Sequence, residues 1–235
     1  MVSNASALTT FEDLLPPDTA PPAFLQRIRG LQPSISTFIV WLGLNREVAD
    51  ALPAYSTHVT SGRGPEADYR AAMEGDIANV AFSLTAYDKA FPGYSAPGTS
   101  TLMLLCLSGY APWKPYEADY RAGRKAAYRK EKQRWAKTLI RRAAEALLPD
   151  LETAIAVQEA ATPLTNWRYT GNTHGAIYGF EQSMENAYMN RIENRTPVPG
   201  LYLAGAWSNP GGGFEGALRS GANTFACLLE DWRSS

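Results

Sequence analysis

The sequence predicts an α+β chain: an antiparallel sheet and a long helix in the middle, then a strand, a glycine turn and a helix at the end. Three observations predict it. Ser34–Leu44, Tyr55–Thr60, Asn79–Thr85 and Thr101–Ser108 are short segments rich in β-branched, aromatic and aliphatic residues, with mixed apolar faces. Tyr116–Leu148 is the longest helical reading, roughly 50 Å if unbroken. Leu201–Ala204 is an apolar run between Gly200 and Gly205, and the helical pattern Ala217–Trp232 follows a turn holding Pro210 and three glycines. Strands grouped ahead of a long helix fit an antiparallel sheet with one face free to roof a cavity.

The composition supports a real core. The chain has 235 residues, 45% hydrophobic and 19% charged, with a net charge of −1. That balance excludes a general nucleic-acid binder. Cys106 and Cys227 both lie in apolar runs, which predicts free buried thiols. His58 and His174 are far apart with no cysteine partners, so no metal site is expected and a Ser-His-Asp hydrolase has little to work with. No signal peptide is visible, and no run reaches the length of a membrane span. The chain reads as cytoplasmic, with peripheral membrane association left open.

The elements follow in order. Val2–Ala5 looks like the end of a strand. Leu14–Pro22 is a proline-rich connector, and Ala23–Leu31 reads as a short helix. Arg46–Leu52 is a helical turn before Pro53. Gly62-Arg63-Gly64-Pro65 is a loop before the helix Ala67–Met73. Phe91-Pro92-Gly93 and Ala96-Pro97-Gly98 mark turns between strands. In the long helix Gly123 is a candidate interruption. Tyr128, Trp135, Leu139 and Ala143 share one face, with Lys130, Arg134, Lys137 and Arg141 opposite. That basic face reads as solvated, and attraction to anionic headgroups is the functional alternative. Leu151–Ala161 reads as a strand, and Thr165–Tyr169 as a short helix or turn. Trp167, Tyr169, Tyr178, Phe180 and Tyr188 are interleaved with Gly171, Gly175 and Gly179. Such aromatics either wall a long apolar tunnel or form ordinary core.

The C-terminal stretch carries the chemistry. A strand, a glycine turn and a helix N-terminus together bind an anion or a polar ring, because glycine lets a ligand reach the backbone and the first helical turn offers unpaired N–H groups. Gly211-x-Gly213-x-x-Gly216 matches the dinucleotide fingerprint in spacing. A full fingerprint also needs a second strand and an acidic residue about 20 positions on. The sequence ends at Ser235 before either, so a dinucleotide-binding opener is not the expected reading. Glu215 is expected to cap its own helix N-terminus.

Thr162–Thr165, Gly175–Gln182, Gly200–Ala206 and the opening Val2–Ala5 resemble, in order, pieces of the phytoene desaturase family of flavoproteins, which includes carotenoid desaturases, carotenoid isomerases and retinol saturases. The resemblance implies FAD. It implies a cofactor-binding set of Gly205, Ala206, Trp207, Gly211, Gly212, Gly213, Gly216 and Ala217, with the helix N-terminus at the pyrimidine edge of the flavin. Many flavoproteins place an acid after the first of these glycines. Ala206 stands there instead, and one polar anchor is lost.

The resemblance also implies three segments. Residues 1–12 end a piece of the FAD domain, 13–196 form the substrate-binding domain, and 197–235 return as the flavin-contacting strand, turn and helix. The half bearing the adenine-side glycine motif is absent from the sequence, so the expected chain is a C-terminal portion: a fragment, a truncated product or one half of a split protein. Trp167, Tyr169, Tyr178 and Phe180 become candidate substrate contacts for a carotenoid or retinoid polyene that is desaturated, saturated or isomerised. No catalytic side chain is assigned, since the cofactor carries the hard step. The expected partners are the apolar polyene and a separate N-terminal FAD-domain half, with a membrane surface left open. The competing reading is a non-catalytic module for an apolar ligand or partner, unable to hold FAD alone.

Overall fold

Period-two alternation builds the sheet. The computed structural model describes residues 1–186 and 190–234, so Tyr188 lies outside the described residues. In chain order the strands are β1 (Val2–Ser3), β2 (Ser36–Leu44), β3 (Ser56–Val59), β4 (Phe82–Ala86), β5 (Ser100–Ser108), β6 (Ile155–Ala161) and β7 (Tyr202–Leu203). The helices are α1 (Ala7–Thr9), α2 (Pro22–Gly30), α3 (Pro65–Glu74), α4 (Tyr87–Ala90), α5 (Glu117–Arg121), α6 (Ala126–Ala146), α7 (Leu151–Ala154), α8 (Pro163–Thr170) and α9 (Phe214–Arg233). They fall into two compact units, one of Met1–Ile35 with Asn166–Ser235 and one of Ser36–Thr165. The expected substrate segment, 13–196, therefore runs through both.

In the unit 36–165 a five-stranded antiparallel sheet has the order β3-β4-β5-β2-β6. Cross-strand partners share a face. Phe38, Val40, Leu42 and Leu44 of β2, Leu102, Leu104 and Cys106 of β5, and Phe82 and Leu84 of β4 are buried on one face. The buried stripe of α6 belongs to the same core: Tyr128, Trp135, Leu139 and Ala143 are buried as the spacing predicts. Lys130, Arg134, Lys137 and Arg141 are exposed. Arg134 pairs with Glu131 and Arg141 with Glu145, which neutralises part of the basic face.

Aromatic rings join helix to sheet. Trp113 lies 4.9 Å from Trp135, 5.9 Å from Phe38 and 6.1 Å from Tyr128, and its indole N–H donates to Ser108 Oγ at 3.0 Å. A buried indole needs such a partner for its polar edge. Tyr128 OH lies 3.0 Å from both Thr162 Oγ1 and Thr165 Oγ1, which ties α6 to the end of β6 and the start of α8.

The unit 1–35 with 166–235 is built on the parallel pair β1–β7. A second segment bridges β7 through Arg195 and Tyr202. Its apolar core gathers Ala7, Phe11, Ile28, Ala176, Phe180, Ile192, Leu201, Leu203 and Trp207.

Three sequence expectations shift. The 116–148 helix breaks at Gly123, whose φ of 81° lies in the left-handed region, so α5 and α6 are separate helices. The predicted strand 151–161 begins as the helical turn α7, because Leu151 and Ala154, three apart, are both buried. The turn 7–14, unpredicted as a helix, buries Ala7, Thr10 and Phe11 at helical spacing.

Two tests follow from this packing. Trp113→Ala should cost about 3–5 kcal/mol in urea unfolding, since it removes the central ring and the indole N–H that Ser108 Oγ accepts. Cys106 is buried, and burial pushes its thiol up to about 12. A thiol reagent at mildly alkaline pH should therefore modify half-buried Cys227 in the folded chain and Cys106 only after unfolding.

Candidate functional site

β7 ends at Leu203 and the chain then turns sharply toward α9. Gly205 holds φ at 90°, and a Cβ there would strike the Asn4 side-chain oxygen. Asn209–Pro210 is cis. Gly211 and Gly213 hold φ at 128° and 89°. The glycines have different jobs. A Cβ on Gly211 would meet the Arg191 guanidinium at 2.8 Å, one on Gly212 would strike the Tyr178 backbone, and one on Gly216 would meet the Gly211 carbonyl at 2.5 Å. These three are glycine because the turn is packed. Gly213 is different: nothing lies within 4 Å of its missing Cβ. It is the N-cap of α9, so open space stands over the helix N-terminus.

The first turn of α9 presents N–H groups with no intrahelical carbonyl to meet. Ala217 N–H already bonds the Gly213 carbonyl at 2.9 Å, which leaves the amides of 214–216 as the forward-facing set. Glu215 does not cap the helix. No side chain does, and Glu215 pairs with Arg219 at 2.9 Å across one helical turn. The helix starts at Phe214, three residues before the predicted Ala217, because Gly213 in its left-handed conformation sets the entry.

A polar hub fixes this turn. Asn194 Nδ2 lies 3.0 Å from Leu203 O, 3.2 Å from Ser208 Oγ, 2.8 Å from Ser220 Oγ and 3.1 Å from Thr224 Oγ1. Thr224 Oγ1 donates to Leu203 O at 2.7 Å, and Gly205 N–H donates to Ser220 Oγ at 3.0 Å. All four side chains are buried. At the far end of α9, Arg195 pairs with Glu230 and Asp231, and Tyr202 OH donates to Asp231 at 2.6 Å.

Beneath the turn sits Arg191, 1% exposed. Its Nε donates to Ser208 O at 3.2 Å, and its Nη2 to Ala206 O at 2.9 Å and Phe180 O at 3.3 Å. Its Nη1 is buried without a hydrogen-bond partner, and among the described side chains no carboxylate pairs with it. Burial holds its guanidinium below the usual value, yet an arginine stays charged at neutral pH. A whole positive charge therefore lies behind the glycine turn, added to the partial charge of the helix end.

The aromatic passage divides. Phe180 is fully buried and meets Trp207 edge-on at 4.8 Å, so both rings are core and only the Trp207 backbone lines the turn. Trp167 is half-buried, and Tyr169 and Tyr178 are exposed. The second face of the five-stranded sheet is also apolar. Ile39, Trp41, Met103, Leu105 and Leu107 share it and are only partly buried, with Trp41 38% exposed. Sequence reading did not single out these residues, although their alternation carried the signal. Asn194, Ser208, Ser220 and Thr224 carried no signal in sequence, being common polar residues scattered over thirty positions.

The comparisons with known proteins bear on this geometry. The profile of the flavin containing amine oxidoreductases matches residues 3–229. The chain belongs to that family. FAD is the family's cofactor, and the oxidoreductase reading rests on it. The chain is similar to all-trans-retinol 13,14-reductase of Macaca fascicularis, 26% identical over 221 residues that cover 87% of this chain and 35% of that protein. It is 24% identical to pyridine nucleotide-disulfide oxidoreductase domain-containing protein 2 of Rattus norvegicus, over 100% of this chain and 42% of that protein. Over 83 residues, 35% of this chain and 16% of the relative, it is 40% identical to hydroxyneurosporene desaturase of Rhodobacter capsulatus. The chain thus spans well under half the length of these relatives. Among the described residues no cluster of His, Cys, Asp and Glu could hold a metal, and no helix is long and apolar enough to cross a membrane.

The residues fit the flavin on three observations: open space over Gly213, the forward-facing amides of α9, and the buried unpaired nitrogen of Arg191. The amides and the guanidinium charge favour an electron-rich group, and the space over Gly213 gives it room.

The hub gives a test. Asn194→Ala should destabilise the unit by about 2 kcal/mol in chemical denaturation, and Asn194→Asp by more, because a carboxylate cannot donate to the oxygens around it. An aspartate variant as stable as the alanine one would show that the amide nitrogen does not face the hub.

Proposed function

We propose that this chain is the flavin-edge and substrate-contacting portion of an FAD-dependent oxidoreductase acting on an apolar polyene of the carotenoid or retinoid kind. The observation that carries the proposal is the open position over Gly213 at the N-terminus of α9, backed by the uncompensated charge of Arg191. FAD, when bound, exchanges an electron pair and protons with the substrate.

The chain's own residues do the rest. The amides of 214–216 face the electron-rich edge and favour negative charge there. Gly213 lets the backbone come close, and Gly205 makes room for the Asn4 side chain. Gly211, Gly212, Gly216 and the backbone of Ala206 and Trp207 hold the turn in shape, with Ala217 closing the first helical bond. Arg191 pins the Ala206 and Ser208 carbonyls, so the amides keep their direction. A long apolar substrate has two candidate surfaces. One is the open sheet face of Ile39, Trp41, Met103 and Leu105. The other is Trp167, Tyr169 and Tyr178, with Phe180 supporting from the core. The retinol reductase and desaturase relatives support the polyene class.

The reading that the chain holds the flavin edge and lacks the adenosine side has a direct test. Flavin fluorescence titration of the chain alone should give similar, weak affinities for FAD and riboflavin, because both offer the same ring to Gly213. A much tighter hold on FAD would mean that an adenosine site exists here. Gly213→Val should abolish binding of both, since a β-branched residue is strained at φ 89° and its methyls fill the open space. Gly62→Val, in a loop of the other unit, should bind as the parent does.

A further inference from the structure

Asn194 and Arg191 hold the same turn by different means. Asn194 uses a neutral amide, whose nitrogen lies near the Leu203 carbonyl and the Ser208, Ser220 and Thr224 hydroxyls. Arg191 uses a whole charge. Its Nε donates to Ser208 O at 3.2 Å, and its Nη2 reaches Ala206 O at 2.9 Å, Phe180 O at 3.3 Å and Tyr178 O at 3.4 Å. A guanidinium carries five N–H donors, and the two on Nη1 are spent on nothing. The side chain is 1% exposed, and no carboxylate among the described residues forms an ion pair with it. If pinning carbonyls were its whole task, a neutral amide would serve, as it does at Asn194. A buried cation without a counter-charge is costly, and its charge is the one property a neutral donor would lack.

That charge lies close to the open side of the turn. A Cβ on Gly211 would sit 2.8 Å from Arg191 Cζ, so the guanidinium packs against the turn itself. Gly213, with nothing over it, is two residues on, at most about 7 Å along the chain. A ring seated over Gly213 would then lie roughly 10 Å from the guanidinium. At that range, with an effective dielectric of about 20, one unit charge shifts an equilibrium about tenfold. The positive end of α9 acts in the same direction. The sign follows from flavin chemistry. The oxidised ring is neutral, and the reduced ring is an anion once it has taken up two electrons and one proton.

We propose that Arg191 is a positioning residue whose charge makes the site over Gly213 hold the reduced flavin ring more tightly than the oxidised one. The inference rests on the flavin reading and adds to it the direction of electron flow. By linkage, the factor by which a site prefers the reduced ring is the factor by which the bound ring gains as an electron acceptor. Tenfold corresponds to about 30 mV for a two-electron couple. Such a bias favours removal of hydrogen from a polyene over its addition. The substrate gives up a hydride and a proton and gains one C=C bond, the oxidised flavin receives the hydride, and the proton passes to water.

The experiment uses the full chain, without oxygen, and two probes: riboflavin and dithionite-reduced riboflavin. Equilibrium dialysis gives both affinities, with the flavin counted after reoxidation. The parent should hold the reduced probe about tenfold or more tighter. Raising salt from about 0.05 to 0.5 M should leave that ratio in place, because a buried charge is little screened. Arg191→Gln keeps an amide donor for the carbonyls and should lower the ratio about tenfold. Arg191→Met is a second neutral variant with the same expected loss. Asn194→Ala loosens the turn and keeps the charge, so it should weaken both probes alike. Circular dichroism checks that each variant folds.

Equal affinity for the two probes in the parent would overturn the proposal, whatever the variants do. So would a ratio that survives in Arg191→Gln or Arg191→Met, which would leave Arg191 a clamp and nothing more. A ratio that collapses in salt would overturn it too, by assigning the preference to surface charge. A chain that holds neither probe sinks the flavin reading and this inference with it, whereas a chain that holds both alike sinks this inference alone.

Discussion

The amide of Asn194 lies within reach of the Leu203 carbonyl, the Ser208 and Ser220 hydroxyls and Thr224, and the C-terminal end of the chain takes its shape from that buried donor. Each of these groups would carry a desolvation cost of about 1–3 kcal/mol if left unpaired. Satisfied together, they lock strand β7, the turn and helix α9 into one arrangement. The helix has no apolar grip on the sheet at this point. Polar complementarity holds it, and such networks stay in place only when every member is paired.

The placement of the glycine turn follows from this. With Ser220 bound to the Gly205 amide, the first turn of α9 is directed at open space over Gly213. Arg191 supports the turn from below by accepting confinement among carbonyls without a counter-ion. A buried cation with no carboxylate partner is costly, and it makes sense where an electron-rich ligand offsets it. The other unit is stabilised quite differently, by the packed rings of Trp113, Trp135, Phe38 and Tyr128 between helix and sheet. There the driving force is apolar burial, and it leaves the second sheet face only partly buried.

In helix α9 the helical spacing of Leu218, Gly221, Phe225, Leu228 and Leu229 puts them on one face. Spacing reports which residues lie together and is silent on which way they point. The polar residues Ser220 and Thr224, ordinary in sequence, decided the orientation. Phe180 is a similar case. Its place among glycines suggested a substrate wall, and the structure packs it on Trp207 in the core.

The sequence by itself determined the local grammar of this protein: period-two strands from Ser36 to Ser108, the α6 stripe of Tyr128, Trp135, Leu139 and Ala143, and a glycine turn between an apolar strand and a helix. Those features are legible because residue periodicity and left-handed backbone conformations are properties of neighbours in the chain. Tertiary structure alone decided that β1 pairs with β7 two hundred residues away, that Asn194 and Arg191 hold the turn, and that of the turn glycines Gly205, Gly211, Gly212, Gly213 and Gly216 it is Gly213 that opens outward. Each of those facts depends on groups brought together by the fold, and no spacing along the chain records them.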